Sequence, residues 1–386
     1  MNMRETGEAL SSLAVFRSVL EDETVSLFAK MCMEQTLESR GAFAQSLYKI
    51  SPNFSRVLLK ATLLSENIIS QNRAENKETP EIIEKEAARE LGILQEASRT
   101  MPFGTGPLWE TEEIDFAAEF AKWLENIGKT GYGIFAKNNM FTLEGSEIVP
   151  EALYDDTPLS ALKGYSRQKK AIGDNLRAML SGLTAANMLL YGDSGTGKSA
   201  TIKAMTNEYA PMGLRLIEIK KHQIDKIPAV MAKLSKNPLK FILFLDDLSF
   251  DSADDVFGSL KAVLEGSVAA RAKNTCVCVT SNRRHIVRES KADRMGADLH
   301  VKDTMEEIGA LTQRFGLSVI FEKPDKAMYF EILEDIGKDN GMTIDDALLR
   351  EAEAYAIQKG GRSCRVAKLF IEQKMRESHL SGEKQI

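Results

Sequence analysis

Gly192-Asp193-Ser194-Gly195-Thr196-Gly197-Lys198-Ser199 sets three glycines, a lysine and three hydroxyls in one eight-residue run. Glycine tolerates the backbone turns that let successive N–H groups converge, so such a loop can cradle phosphate oxygens. Lys198 would then face the β- and γ-phosphates of a nucleotide, and the Ser199 hydroxyl would ligate magnesium. The apolar run Met188–Tyr191 leads into the loop, and Ala200–Tyr209 leaves it with helical character. That context aims a helix N-terminus at the bound anion. A glycine-rich turn between strand and helix is the plain alternative.

A second run supplies what the first lacks. Phe241-Ile242-Leu243-Phe244-Leu245-Asp246-Asp247 is a buried-strand pattern ending in two carboxylates, with Asp246 lying 48 residues after Lys198. Asp246 is expected to hold the magnesium water shell, and Asp247 to orient or deprotonate the attacking water. Asp is shorter than Glu by one carbon–carbon bond, about 1.5 Å, so a water served by Asp247 must sit closer. Asn282 closes the next apolar run, in Val279-Thr280-Ser281-Asn282. If that strand lies between the other two, Asn282 can sense the γ-phosphate or its water; a strand-end turn is the alternative. Arg314 precedes the run Leu317–Phe321, on a sheet rim from which it could reach a neighbouring subunit's nucleotide. Arg365 opens a late helix and could close over the phosphates, with Arg362 its rival. Solvated surface charge is the alternative for all three arginines.

The elements that must carry these residues follow from hydrophobic period. Five short apolar runs, Met188–Tyr191, Leu214–Ile219, Phe241–Leu245, Thr275–Thr280 and Leu317–Phe321, alternate with helical patterns. This predicts a parallel sheet covered by helices on both faces. After Pro324 the pattern is helical only, over Asp325–Ile336, Asp345–Gln358 and Ser363–Glu377, and predicts a small lid. Before residue 155 helices dominate. Thr79-Pro80-Glu81 carries a helix-start signature with Thr79 as cap, and Gln71–Glu78 reads as a loop. Phe116, Phe120, Trp123, Leu124 and Ile127 recur at helical spacing, as core or as a docking face for a partner. Phe141–Val149 looks extended, and Pro150–Pro158 reads as a linker. The expected division is a mostly helical domain over 1–155, an α/β core over 156–323 and a helical lid over 324–386.

Composition bounds the function classes. At 386 residues with 43% hydrophobic content the chain can bury two or three cores. A net charge of −6 argues against wholesale coating of nucleic acid. Arg283, Arg284, His285, Arg288, Lys291 and Arg294 form a local basic stretch that could still meet DNA or RNA phosphates, a subunit interface or solvent. Glu289, Asp293 and Asp298 dilute it, and no aromatics interleave for base stacking. The four cysteines, 32, 276, 278 and 364, show no C-x-x-C spacing, and the four histidines are scattered. Buried free thiols in a reducing compartment and no protein-held metal cluster are expected. No signal-peptide layout opens the chain and no apolar run approaches the roughly 20 residues of a membrane span, so a cytoplasmic protein without membrane contact is expected.

The order and spacing of these motifs, from about Leu159 to Phe370, resemble the AAA-type ATPases. Closer still, the chain is similar to an uncharacterised bacterial family of AAA-type ATP-binding proteins with a double Asp. That likeness rests on Leu162-Lys163-Gly164-Tyr165, Leu189-Leu190-Tyr191-Gly192, Asp246-Asp247-Leu248-Ser249-Phe250, Leu264-Glu265-Gly266, Thr280-Ser281-Asn282-Arg283-Arg284-His285 and Arg314-Phe315-Gly316-Leu317. The resemblance implies a P-loop NTPase of AAA type: a five-stranded parallel sheet, a helical C-terminal lid and a homo-oligomeric ring or dimer in which Arg314 acts in trans. It places Gly164 and Tyr165 beside the adenine, and extends the nucleotide-binding set of Gly192 to Ser199 through Ala200 to Arg365. The chain departs from the pattern in Gln313, where Asp commonly precedes the arginine, and in Cys364, where Gly usually precedes the lid arginine. The reading is an ATP- and Mg2+-dependent ATPase that remodels or loads a macromolecular partner. The alternatives are a low-turnover nucleotide switch, similar to replication initiators or helicase loaders, and a small-molecule kinase.

Overall fold

Polar residues ahead of apolar periodic runs start most of the N-terminal helices. Asn2, Asp22, Thr36, Asn53, Asn67 and Asp115 each accept a backbone N–H from the first turn of the helix that follows, satisfying donors that have no partner within the helix. The computed structural model describes residues 2–102, 105–152, 156–248, 256–265, 273–282 and 314–382. They divide into two compact units, Met1–Asn138 with Lys236–Leu239, and Asn139–Ser235 with Lys240–Ile386.

In the first unit the helices bury a cluster around Phe28, Phe43, Phe54, Trp109, Phe116 and Phe120. Phe43 meets Phe54 and Trp109 edge-on, with ring centroids 5.2 and 5.1 Å apart, the favoured geometry for aromatic quadrupoles. Two local expectations differ from what is found. Ile68–Ala74 is helical, so the predicted loop over Gln71–Glu78 starts late; the Asn67 cap and the apolar Ile68 and Ile69 outweigh the polar residues after them. The next helix is Glu81–Ser98 with Pro80 at its cap position and no side-chain cap. Thr79 is occupied instead as acceptor for Asn72 Nδ2 at 3.2 Å.

The second unit is built on one sheet. Its strands are β1 (Met140–Glu144), β2 (Glu147–Pro150), β3 (Met188–Gly192), β4 (Leu214–Glu218), β5 (Lys240–Leu245), β6 (Thr275–Ser281) and β7 (Leu317–Phe321), in the order β2-β1-β4-β5-β6-β3-β7. All neighbours run parallel except β1 with β2. Among the described residues the sheet therefore has seven strands, not the expected five. The addition is the β1–β2 hairpin around Gly145, whose β1 extends the β4 edge with Met140 opposite Leu216. An edge hairpin mixes polar and apolar residues, so Phe141–Val149 shows extension in the sequence but not which sheet it joins. The central strands β5 and β6 are almost wholly buried, as continuous apolar runs predict for strands covered on both faces. Three helices, Lys326–Asp339, Asp346–Gln358 and Cys364–Gly382, follow β7 and bury their own cluster around Tyr329, Leu333 and Phe370. No helix among the described residues is long and apolar enough to cross a membrane.

Candidate functional site

Strand order decides which loops meet. β6 lies between β3 and β5, with Tyr191 opposite Ser281 and Leu245 opposite Val279. The carboxyl ends of three strands thus release the 192–199 loop, the Asp246-Asp247 pair and Asn282 at one sheet edge. That edge is where open parallel sheets present ligand sites.

The loop is shaped by close approach. Gly192 has φ +128°, and a Cβ there would stand 2.2 Å from the Phe321 carbonyl oxygen, so only glycine fits. Gly195, at φ +78°, turns the loop under the C-terminal helices, with the Ser363 hydroxyl 3.1 Å from the position of an added Cβ. Thr196 Oγ1 donates back to the Asp193 carbonyl at 2.8 Å. The helix Lys198–Tyr209 starts directly after Gly197, putting the positive end of its dipole and its unpaired N–H groups at the loop.

Lys198 is 6% exposed and its ammonium donates to the Gly192 carbonyl at 3.2 Å, the Asp193 carbonyl at 2.7 Å and Asn282 Oδ1 at 2.9 Å. All three of its donors are therefore used. Burial lowers its pKa below the usual lysine value, against an opposing pull from the Asp193, Asp247 and Asp246 carboxylates. Ser199 Oγ donates to Asp246 Oδ1 at 2.5 Å, and Thr280 Oγ1 donates to the same oxygen at 2.6 Å. Asn282 Nδ2 donates to Asp247 Oδ1 at 2.5 Å. The amide of Asn282 can face only one way here, because a lysine needs its oxygen and a carboxylate needs its nitrogen. A hydroxyl and a carboxylate in contact, beside convergent loop amides and a lysine, can hold a hydrated divalent cation next to a polyphosphate. The exposed Asp247 carboxylate, steadied by Asn282, is free on its other oxygen to accept a proton from water.

The loop is also tied to β7 and to the C-terminal helices. Asp193 Oδ2 accepts the Lys323 N–H at 2.8 Å, and the Lys323 ammonium donates to the Gly360 carbonyl at 2.9 Å. The Arg365 N–H donates to the Gly195 carbonyl at 3.3 Å, which brings Arg365 to the loop. Arg362 is instead committed to Glu353, through Nε at 3.0 Å and a second, shorter contact. Cys364 is mostly buried, with Sγ 4.0 Å from the Thr196 carbonyl, and burial pushes its thiol up to about 11. Gly164 and Tyr165, both left-handed at φ +73° and +54°, line a cleft of about 440 Å³ with Glu322, Lys323 and Met328. The Tyr165 hydroxyl donates to the Glu322 carbonyl at 2.7 Å, and burial raises its pKa.

Arg314, expected on a rim facing a neighbouring subunit, does not belong to this edge. It lies before the amino end of β7, where Leu317 pairs with Met188, so a five-residue strand, roughly 16 Å, separates it from the loop. The basic stretch 283–294 and Gln313 lie outside the described residues. Thr280 and Lys323 belong to the edge and were missed. Thr280 had a signal, since it stands two residues before Asn282 and so shares its strand face. Lys323 had none, because its role depends on β7 lying beside β3.

Residues 136–378 match the family described as "Protein of unknown function (DUF815)". No curated protein matches the chain.

Proposed function

The chain belongs to the DUF815 family, and from that premise we propose that it binds ATP with magnesium and hydrolyses it as an AAA-type ATPase, coupling nucleotide state to the remodelling or loading of a macromolecular partner. The observation that supports this is the meeting of Lys198, Ser199, Asp246 and Asn282, from three separate chain segments, at the carboxyl edge of one parallel sheet. Ser199 and Asp246 would hold magnesium, which supplies charge neutralisation of the phosphates. Lys198 would exchange its loop carbonyls for the β- and γ-phosphate oxygens. Asp247 accepts a proton from the attacking water as the water oxygen bonds to the γ-phosphorus and ADP leaves. The cleft beside Gly164 and Tyr165 suits the base, and Arg365 suits the outer phosphates.

Calorimetry of magnesium-ATP binding, with Lys198→Ala as the control, tests the site. Wild-type affinity in that variant would overturn the assignment. Arg314 lies too far from its own chain's loop to act there, which supports a role at a neighbouring copy's nucleotide. Specific activity should therefore rise with protein concentration, and mixing Arg314→Ala with Lys198→Ala subunits should recover part of the lost rate. A flat concentration dependence removes the assembly.

A low-turnover nucleotide switch is the second reading. The short Asp247 carboxylate, held by Asn282 on a left-handed backbone, favours it. A turnover number that stays low at every concentration while ATP binding is tight would select the switch.

A further inference from the structure

Asp247 is one of four non-glycine residues with positive φ among the described residues, at +51°. It sits where β5 ends and the chain must turn. Left-handed backbone is uncommon outside glycine, with Asn and Asp the side chains that tolerate it best. At a site for chemistry, such a conformation persists only where surrounding contacts over-determine it. Asn282 holds the side chain, and the backbone contacts come from one residue. The Asp247 N–H donates to Thr280 Oγ1 at 2.8 Å, and the Leu248 N–H donates to the Thr280 carbonyl at 2.9 Å. The same Thr280 hydroxyl gives its proton to Asp246 Oδ1 at 2.6 Å.

One hydroxyl therefore accepts from the backbone of one aspartate and donates to the side chain of the other. Its single proton is committed to Asp246, so its lone pairs face Asp247. Thr280 is 1% exposed, so water cannot substitute for it.

We infer that Thr280 is a positioning residue that orients both aspartates of the proposed ATPase site: it fixes the Asp246 carboxylate toward Ser199 and holds the Asp247 backbone left-handed so that its carboxylate meets Asn282. This rests on the ATPase reading given above. It also suits the short acid at 247. The left-handed turn already brings the side chain to Asn282, and a longer side chain would overshoot it.

Thr280→Val keeps the branched strand-forming shape and removes only the hydroxyl, whereas Thr280→Ser keeps the hydroxyl and removes a methyl. In Thr280→Val, amide hydrogen exchange of the segment 245–248 should quicken at least tenfold in the free protein. Metal-free ATP affinity should stay within about threefold. The magnesium concentration for half-maximal ATP hydrolysis should rise about tenfold, and the single-turnover rate should fall about 10–100-fold, as loss of a buried hydrogen-bond partner predicts. Thr280→Ser should recover most of the exchange protection and most of the rate.

A Thr280→Val protein with wild-type magnesium demand and rate overturns the proposal while leaving the ATPase reading intact. So does a Thr280→Ser protein as impaired as Thr280→Val, since the methyl and not the hydroxyl would then matter. Wild-type protein that binds no magnesium-ATP removes the ATPase reading, and with it this one. If Thr280→Val unfolds, Thr280→Ala replaces it as the variant without the hydroxyl, and a Thr280→Ala rate and exchange equal to those of Thr280→Ser overturn the proposal.

Discussion

Asn282 joins Lys198 to Asp247, accepting from the lysine ammonium at 2.9 Å while donating to the carboxylate at 2.5 Å. Whatever occupies the loop and draws Lys198 away must alter the partner that holds Asp247. Asn282→Ala should therefore cut single-turnover hydrolysis by about 10²-fold, a loss of the size seen when one preorganised polar group is removed. ATP affinity should stay within about threefold. Asn282→Asp, which sets a second carboxylate against Asp247, should fall at least as far. Unimpaired hydrolysis in either variant would detach Asn282 from the chemistry.

Lys198 gives a pH signature in the free protein. Its folded pKa is lowered by burial below the unfolded value. Between those two values the unfolded chain binds more protons, so this group makes folding more favourable as pH rises and less favourable as pH falls. Lys198→Met removes that dependence. The stability of wild type relative to Lys198→Met should therefore increase between about pH 7.5 and pH 10, approaching the ordinary lysine range near 10.4. Urea midpoints of the two proteins at both pH values check the sign, and a difference that shrinks with pH would contradict it.

Asp247→Glu tests whether the short carboxylate is matched to its backbone. On the usual logic a longer acid should serve water better. At φ +51° the longer side chain both fits the left-handed turn less well and overreaches Asn282, so hydrolysis should drop about tenfold or more while ATP still binds. Asp247→Asn should fold as wild type, since Asn tolerates this conformation equally, yet lose hydrolysis. Faster turnover in Asp247→Glu would show that the turn does not constrain the acid.

Arg365 and Arg362 should separate cleanly. Arg365 meets the loop through its backbone, and Arg362 is paired with Glu353. Arg365→Ala should weaken ATP binding about tenfold or lower hydrolysis by a similar factor. Arg362→Ala should cost about 1 kcal/mol of stability or less, because the pair is partly exposed, and leave ATP affinity unchanged. Titration of both variants with magnesium-ATP, beside their thermal midpoints, distinguishes them. The opposite pattern would exchange their roles.

Local physical chemistry alone determined a good deal. The glycine spacing of 192–197, the apolar run that stops at Asp246 and the helical period after Pro324 all act within a few residues. They can therefore be read one segment at a time. The residues Lys198, Ser199, Asp246, Asp247 and Asn282 were named from such runs, and the structure gathers them at one edge. Tertiary structure decided what depends on neighbours. Strand order put β6 between β3 and β5 and so brought Asn282 within reach of Lys198. Lateral pairing added the β1–β2 hairpin to the β4 edge, because edge strands bury little and leave a faint pattern. The left-handed turn at Asp247, the double use of the Thr280 hydroxyl and the contact of the Arg365 N–H with the Gly195 carbonyl have the same origin. Each is set by a hydrogen bond between segments far apart in the chain, and a linear sequence carries no record of which distant polar groups will meet.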